Sequence, residues 1–190
     1  CKPNSVRTGS LTSPSFNAKS PVYKTSVGED RYRRSLYTIW RRAFLHPTLA
    51  NFDAPDRITC ATERDRTNTP LQALTLLNDP IYLEAAFGLA RRLSGDPSIV
   101  ETEQRIIRGF RLTTARKPTK DESERLLRLF RSRHDRFKAD PESAFKLIES
   151  TRGGLAAGIS PIDSTAAAEL AAWFHVANVL LNLDETITKG

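Results

Sequence analysis

From residue 69 onward the apolar positions recur at intervals of three and four, the spacing of one buried helix face. Leu83, Phe87, Ala90 and Leu93 form one stripe, Ile99, Ile106 and Phe110 a second, and Leu126, Leu127, Phe130 and Phe137 a third. In the last segment Leu170, Trp173, Ala177, Leu180 and Asp184 share a face, with Phe174 and Leu181 beside it. Each stripe has its own punctuation. Thr69, Pro70 and Gln72 read as N-cap, first helical residue and capping-box partner of a two-turn helix. Asn78 suits a left-handed exit, and Asp79 with Pro80 starts the next helix, which Gly95 ends. Ser98 with Glu101 opens a third helix, Thr119 with Glu122 a fourth, and Asp140 with Pro141 a shorter fifth reaching Ser150. The last is expected to run from Thr165 to Thr186. That puts Asn182 mid-helix, where a buried hydrogen bond would explain it. It also leaves Asp184 and Glu185 opposed by the helix dipole and in need of an arginine partner. The fold class expected is all-α, an irregular helical bundle.

The first part of the chain reads differently. Residues 1–30 lack periodicity and are punctuated by Pro3, Pro14 and Pro21, which predicts an extended, poorly ordered arm or linker before a helical domain over 31–190. In "RYRRSLYTIWRRA", Tyr32, Leu36, Ile39 and Trp40 fit a helix face, yet Leu36 to Trp40 is also rich in strand formers. Periodicity does not separate the two, so a short strand within 31–66 stays open. "HPTLANFDAPDR" reads as loop.

Charge changes the picture less than its size suggests. The net charge is +7, which invites polyanions, but the arginines are spread along the chain and alternate with acids, as in "ESERLLRLFRSRHDR". A solvated helix surface accounts for that, and no specific nucleic acid is expected. The most apolar stretch, "AAAELAAWFHVANVLLNL", is interrupted by Glu169, His175, Asn178 and Asn182. It reads as a helix buried in protein, so no membrane span is expected. The chain begins at Cys1 and has no Met, which reads as a fragment or a processed chain; a mature lipoprotein also begins with Cys.

Candidate chemistry is sparse. Zinc, haem and dinucleotide motifs are absent from the sequence. The Gly-rich "TRGGLAAGISPIDS" lacks the Gly-Lys-Ser/Thr ending of a phosphate loop. His46, His134 and His175 are far apart and read as satisfied, partly buried side chains. No catalytic residue, metal site or cofactor is assigned to this piece. The one polar concentration is "FDAPDR" followed by "ERDRTN", with Asp53, Asp56, Arg57, Arg64, Arg66 and the cap Thr69 as a candidate anion or ligand site. Arginines beside a helix N-terminus can hold sulfate, phosphate or carboxylate. The competing account has Asp and Arg pair with each other and pin the loop. A third gives Asp53 or Asp56 acid/base work.

"YRRSLYTIWRR", "HPTLANFDAPDR", "RTNTPLQALTLLNDPIYLEAA", "RIIRGFRLTTARKPTKDE" and "AAWFHVANVLLNLDE" resemble the C-terminal domain of large planctomycete proteins. Those proteins join a cytochrome c-like domain to two uncharacterised domains. The resemblance covers residues 31 to 187, and the first thirty match poorly. It implies an extracytoplasmic, multidomain protein whose haem c would sit in a missing N-terminal domain. Its partners would be the other domains of the same chain and a sulfatase-like neighbour protein. It supplies no reaction. The expectation is therefore a non-catalytic helical module supporting domain packing or partner interaction. Part of an enzyme acting on polysaccharide, with the 52–69 loop in a shared site, and a basic polyanion-binding module are the alternatives.

Overall fold

The computed structural model describes residues 37, 46–55, 60, 62–63, 65–151 and 163–188. Its contacts divide the chain into two compact units, residues 1–67 and 68–190. Among the described residues there are eight α-helices and no strand. The helix-or-strand question over 31–43 lies outside the described residues, Tyr37 apart.

In the first unit, Pro47–Asn51 is a single-turn helix, α1, where the sequence reads as loop. Pro47 sits at its start, where a missing N–H costs nothing. Its end explains "NFDAP". Asp53 is left-handed at φ 56°, Asp53 N donates to Ala50 O, and Ala54 N donates to Leu49 O. This pair of bonds closes the last turn around a left-handed residue. Asp tolerates that conformation better than most residues because its short polar chain can bond locally.

The second unit holds α2 (Pro70–Asn78), α3 (Pro80–Ser94), α4 (Thr102–Thr114), α5 (Lys120–Ala139), α6 (Pro141–Thr151), α7 (Ser164–Leu181) and α8 (Asp184–Ile187). The bundle is built around α7, which packs against α3, α5 and α6 and also touches α2, α4 and α8. Trp173, Val176, Ala177 and Leu180 on α7 are fully buried, as are Phe87, Ala90 and Leu93 on α3 and Ile106 on α4. Full burial of each large apolar side chain stabilises the fold by about 1.5–3 kcal/mol. Alanines at 167, 168, 171, 172 and 177 let neighbouring helices approach. Among the described residues, no helix is long and apolar enough to cross a membrane.

Two of the polar interruptions of α7 find partners within the bundle. Glu169 accepts from Arg105 Nη1 at 2.7 Å and from Trp173 Nε1 at 3.3 Å. His175 Nδ1 lies 2.9 Å from Ala171 O. Asn182 differs from expectation. It is the C-cap of α7 rather than a mid-helix residue, its backbone N–H bonds to Val179 O at 3.1 Å, and its Oδ1 is buried without a hydrogen-bond partner, so the expected buried bond is not formed. Leu183 is extended, so Asp184 and Glu185 occupy the first turn of α8, where the dipole favours carboxylates instead of opposing them.

Two other boundaries differ. Asn78 is the last residue of α2 and is not left-handed; its Nδ2 donates to Leu74 O at 2.8 Å. Pro80 pushes Asp79 into extended backbone, so α3 begins at once and there is no room for a left-handed exit. Ser98 does not open α4. It closes a turn on Asp96, and Glu101 is the N-cap without a side-chain cap bond. The left-handed exit in this region is Ala115, φ 65°, after α4.

Candidate functional site

The polar residues singled out in the sequence do not form one described cluster. Asp53 faces a residue fourteen positions on: its carboxylate accepts from Thr67 N at 2.8 Å and from Thr67 Oγ1 at 2.8 and 2.9 Å. These bonds close the loop of the first unit. A carboxylate taking donors in this way is a staple. Asp56, Arg57 and Arg64 lie outside the described residues, so the proposed Asp–Arg pairing of this loop is not part of the picture. Arg66 is exposed.

Thr69 belongs to the second unit. Its Oγ1 accepts from Gln72 N at 3.2 Å, and Gln72 Oε1 accepts from Thr69 N at 3.0 Å. Gln72 is buried while carrying this bond. The capping box thus occupies donors that an anion at the start of α2 would need.

The second unit gathers its charge elsewhere, at the end of α4. Arg116 follows the left-handed Ala115, which turns the chain so that the guanidinium lies over the Phe110 ring, 4.7 Å from its centroid. Two carboxylates grip it. Glu122 accepts from Nη1 at 2.9 Å and Nη2 at 2.7 Å. Glu185 accepts from Nε at 2.8 Å and Nη2 at 2.6 Å. Glu122 also accepts from Thr119 N at 2.7 Å, as the partner in the α5 capping box. Asn68 Nδ2 donates to Asp184 Oδ1 at 2.6 Å. Residues 68, 116, 122, 184 and 185 therefore fasten α8 to the rest of the unit. The arginine expected for Glu185 is present, but its identity is not readable locally, because Arg116 is 69 positions away.

Electrostatics fits fastening rather than proton transfer. The bonds from Arg116 hold the Glu122 carboxyl down at about 2. The same guanidinium holds Glu185 below the usual carboxylate range. Both stay ionised at neutral pH, whereas a general acid or base works best when poised near the operating pH. Burial against Phe137 and Phe174, with Arg133 and Arg136 near, pushes His175 down, so the ring is neutral at pH 7. His134 stacks on Phe130. Among the described residues, no three His, Cys, Asp or Glu side chains are grouped to hold a metal ion. A groove of about 490 Å³ runs between α4 and α5, lined by Ile107, Pro118 and Leu127 with Glu103, Lys120 and Glu124. Its charges are mixed and no histidine lines it.

Comparison with known proteins places the chain in a family. Residues 4–130 match the family described as "Protein of unknown function (DUF1553)", and the chain belongs to it. The match begins at residue 4 and ends within α5, so α6, α7 and α8 lie beyond it. No curated protein and no solved structure matches the chain.

Proposed function

We propose that this member of the family is a non-catalytic helical module of a larger exported protein, supporting the packing of that protein's other domains or of a partner. The observation that carries the proposal is the use made of polar groups. Arg116 binds both Glu122 and Glu185, Arg105 binds Glu169, and Asn68 binds Asp184; all but the Arg116–Glu122 pair join elements distant in sequence. Carboxylates fixed in this way hold helices together, and Glu122 and Glu185, held low by Arg116, have no proton to exchange at neutral pH. The resemblance to planctomycete cytochrome c-like multidomain proteins supports the finer part. In this proposal the protein is extracytoplasmic, haem c belongs to a domain N-terminal to this one, and a sulfatase-like neighbour is a candidate partner.

The direct test is a reducing-end assay on the purified chain with neutral and sulfated polysaccharides. No release above buffer is expected. Release that disappears in Asp53→Asn or Glu122→Gln, with melting unchanged, would overturn the module and make the protein an enzyme. Haem staining of the full-length protein, with its domain order, tests the finer part.

A further inference from the structure

Some arginines of this bundle are paired; others, Arg91, Arg92 and Arg111 among them, make no side-chain bond among the described residues. Arg105, Arg108 and Arg116 are each paired, to Glu169, to Asp96, and to Glu122 with Glu185. The cations of α5 are not. Between residues 125 and 138 stand Arg125, Arg128, Arg131, Arg133, Arg136 and Lys138, against one acid, Asp135. That stretch holds five of the chain's seven net positive charges. No side chain of the six makes a hydrogen bond or ion pair among the described residues, and Arg133 Nε is buried with no acceptor. Of the acids at the start of the helix, Glu122 is already held by Arg116, while Asp121 and Glu124 stand four residues before Arg125 and Arg128. Arg125 and Arg128, Arg128 and Arg131, and Arg133 and Arg136 stand three apart, where like charges on a helix repel by about a few tenths of a kcal/mol per pair; Asp140 offsets part of this at Arg136.

We propose that the solvent face of α5 from Arg125 to Lys138 is a binding surface for an anionic polysaccharide. At 1.5 Å rise per residue the ridge is about 20 Å long, enough for several successive anionic groups of one chain. Guanidinium forks match sulfate and carboxylate oxygens in pairs. Two other polyanions fit less well. Single-stranded nucleic acid needs exposed aromatic platforms, whereas Phe130 and Phe137 of α5 are buried. A lipid surface needs apolar anchors among the cations, and none of the exposed large hydrophobics lies on α5. Duplex nucleic acid is the remaining polyanion, and the DNA arm of the binding test decides it. A slender, flexible anionic chain needs neither exposed aromatic platforms nor apolar anchors. The position of His175 supplies a local reporter, since Arg133 and Arg136 act on its ring.

The test uses the whole chain and fluorescent dextran sulfate, carboxymethyl dextran, unmodified dextran and duplex DNA at ~0.15 M salt. Saturable binding to either anionic dextran, absent with plain dextran, is expected and names the group recognised. Arg128→Glu with Arg131→Glu should weaken that binding at least about tenfold and lower the salt slope by about two. The same charge change at Arg91 and Arg92, exposed on α3, should change it less than about threefold. Binding should also raise the NMR titration midpoint of His175 in the parent chain, a readout that survives if a variant misfolds. Equal losses in both double variants would mean diffuse charge attraction. That result would overturn the proposal, as would no saturable binding or duplex DNA bound as tightly as either anionic dextran.

Discussion

At Gly109 side chains of α3 and α7 close on the backbone of α4, and Gly109→Ala tests the packing of the bundle. A Cβ at this position would lie 3.0 Å from Leu180 Cδ1 and 3.0 Å from Leu93 Cδ1. Carbon atoms prefer about 3.5–4.0 Å, so two methyls must each retreat by about half an ångström or more. Both leucines are fully buried, and a close-packed interior resists such shifts. Overpacking costs about 1–3 kcal/mol. Against it stands the helix propensity of alanine over glycine, about 1 kcal/mol. The net expectation is a loss of about 0–2 kcal/mol, or a melting point lower by a few degrees. Leu180→Val shortens one of the two obstructing side chains. In a double-mutant cycle, urea unfolding should show Gly109→Ala to be less harmful in the Leu180→Val background, with a coupling of about 1 kcal/mol. A Gly109→Ala protein more stable by the full propensity gain, with no coupling to Leu180, would refute the close crossing of α4 with α7.

Three further outcomes follow from particular residues. His175 has a lowered folded pKa, so below its ordinary value of 6.5 the unfolded chain binds more protons than the folded one. Stability should therefore fall as pH drops through 6.5 toward the folded pKa, and His175→Phe should flatten that part of the profile in thermal melts. For Glu122 the bonds from Arg116 contribute stability that is present above 4.5 and lost as pH falls toward about 2. The melting difference between the parent and Arg116→Ala should accordingly close over that window. Thr69→Ala removes the acceptor for Gln72 N and should cost about 1 kcal/mol in equilibrium unfolding.

Local signals were legible in the sequence wherever the chain itself supplies the partner. Thr69 with Gln72 and Thr119 with Glu122 form their capping boxes as the spacing predicts. Asp140 accepts from Ser143 N at 3.2 Å at the start of α6. The apolar stripes of α3, α5 and α7 are the buried faces. What failed was decided from a distance or by competition. α7 stops at Leu181 because Asn182 and Leu183 turn the chain into a second helix that Arg116 and Asn68 secure. Helix propensity sees only weak Asn and Leu preferences there. α1 was hidden because it is one turn long, and its stop depends on Asp53 adopting the left-handed region. In the candidate site, Thr69 and Asp53 turned out to hold local structure, and they lie in different units.

The central claim is that the polar groups at the end of α4 exist to hold α8 in place. Native-state hydrogen exchange on Arg116→Ala tests it most directly. The amides of Thr186, Ile187 and Thr188 bond to Leu183 O and Asp184 O within α8, so their protection reports whether that helix stays formed. Loss of their protection, with the α7 amides around Trp173 still protected to the global limit, is the predicted result. Unchanged protection of Thr186, Ile187 and Thr188 in that variant would contradict the claim.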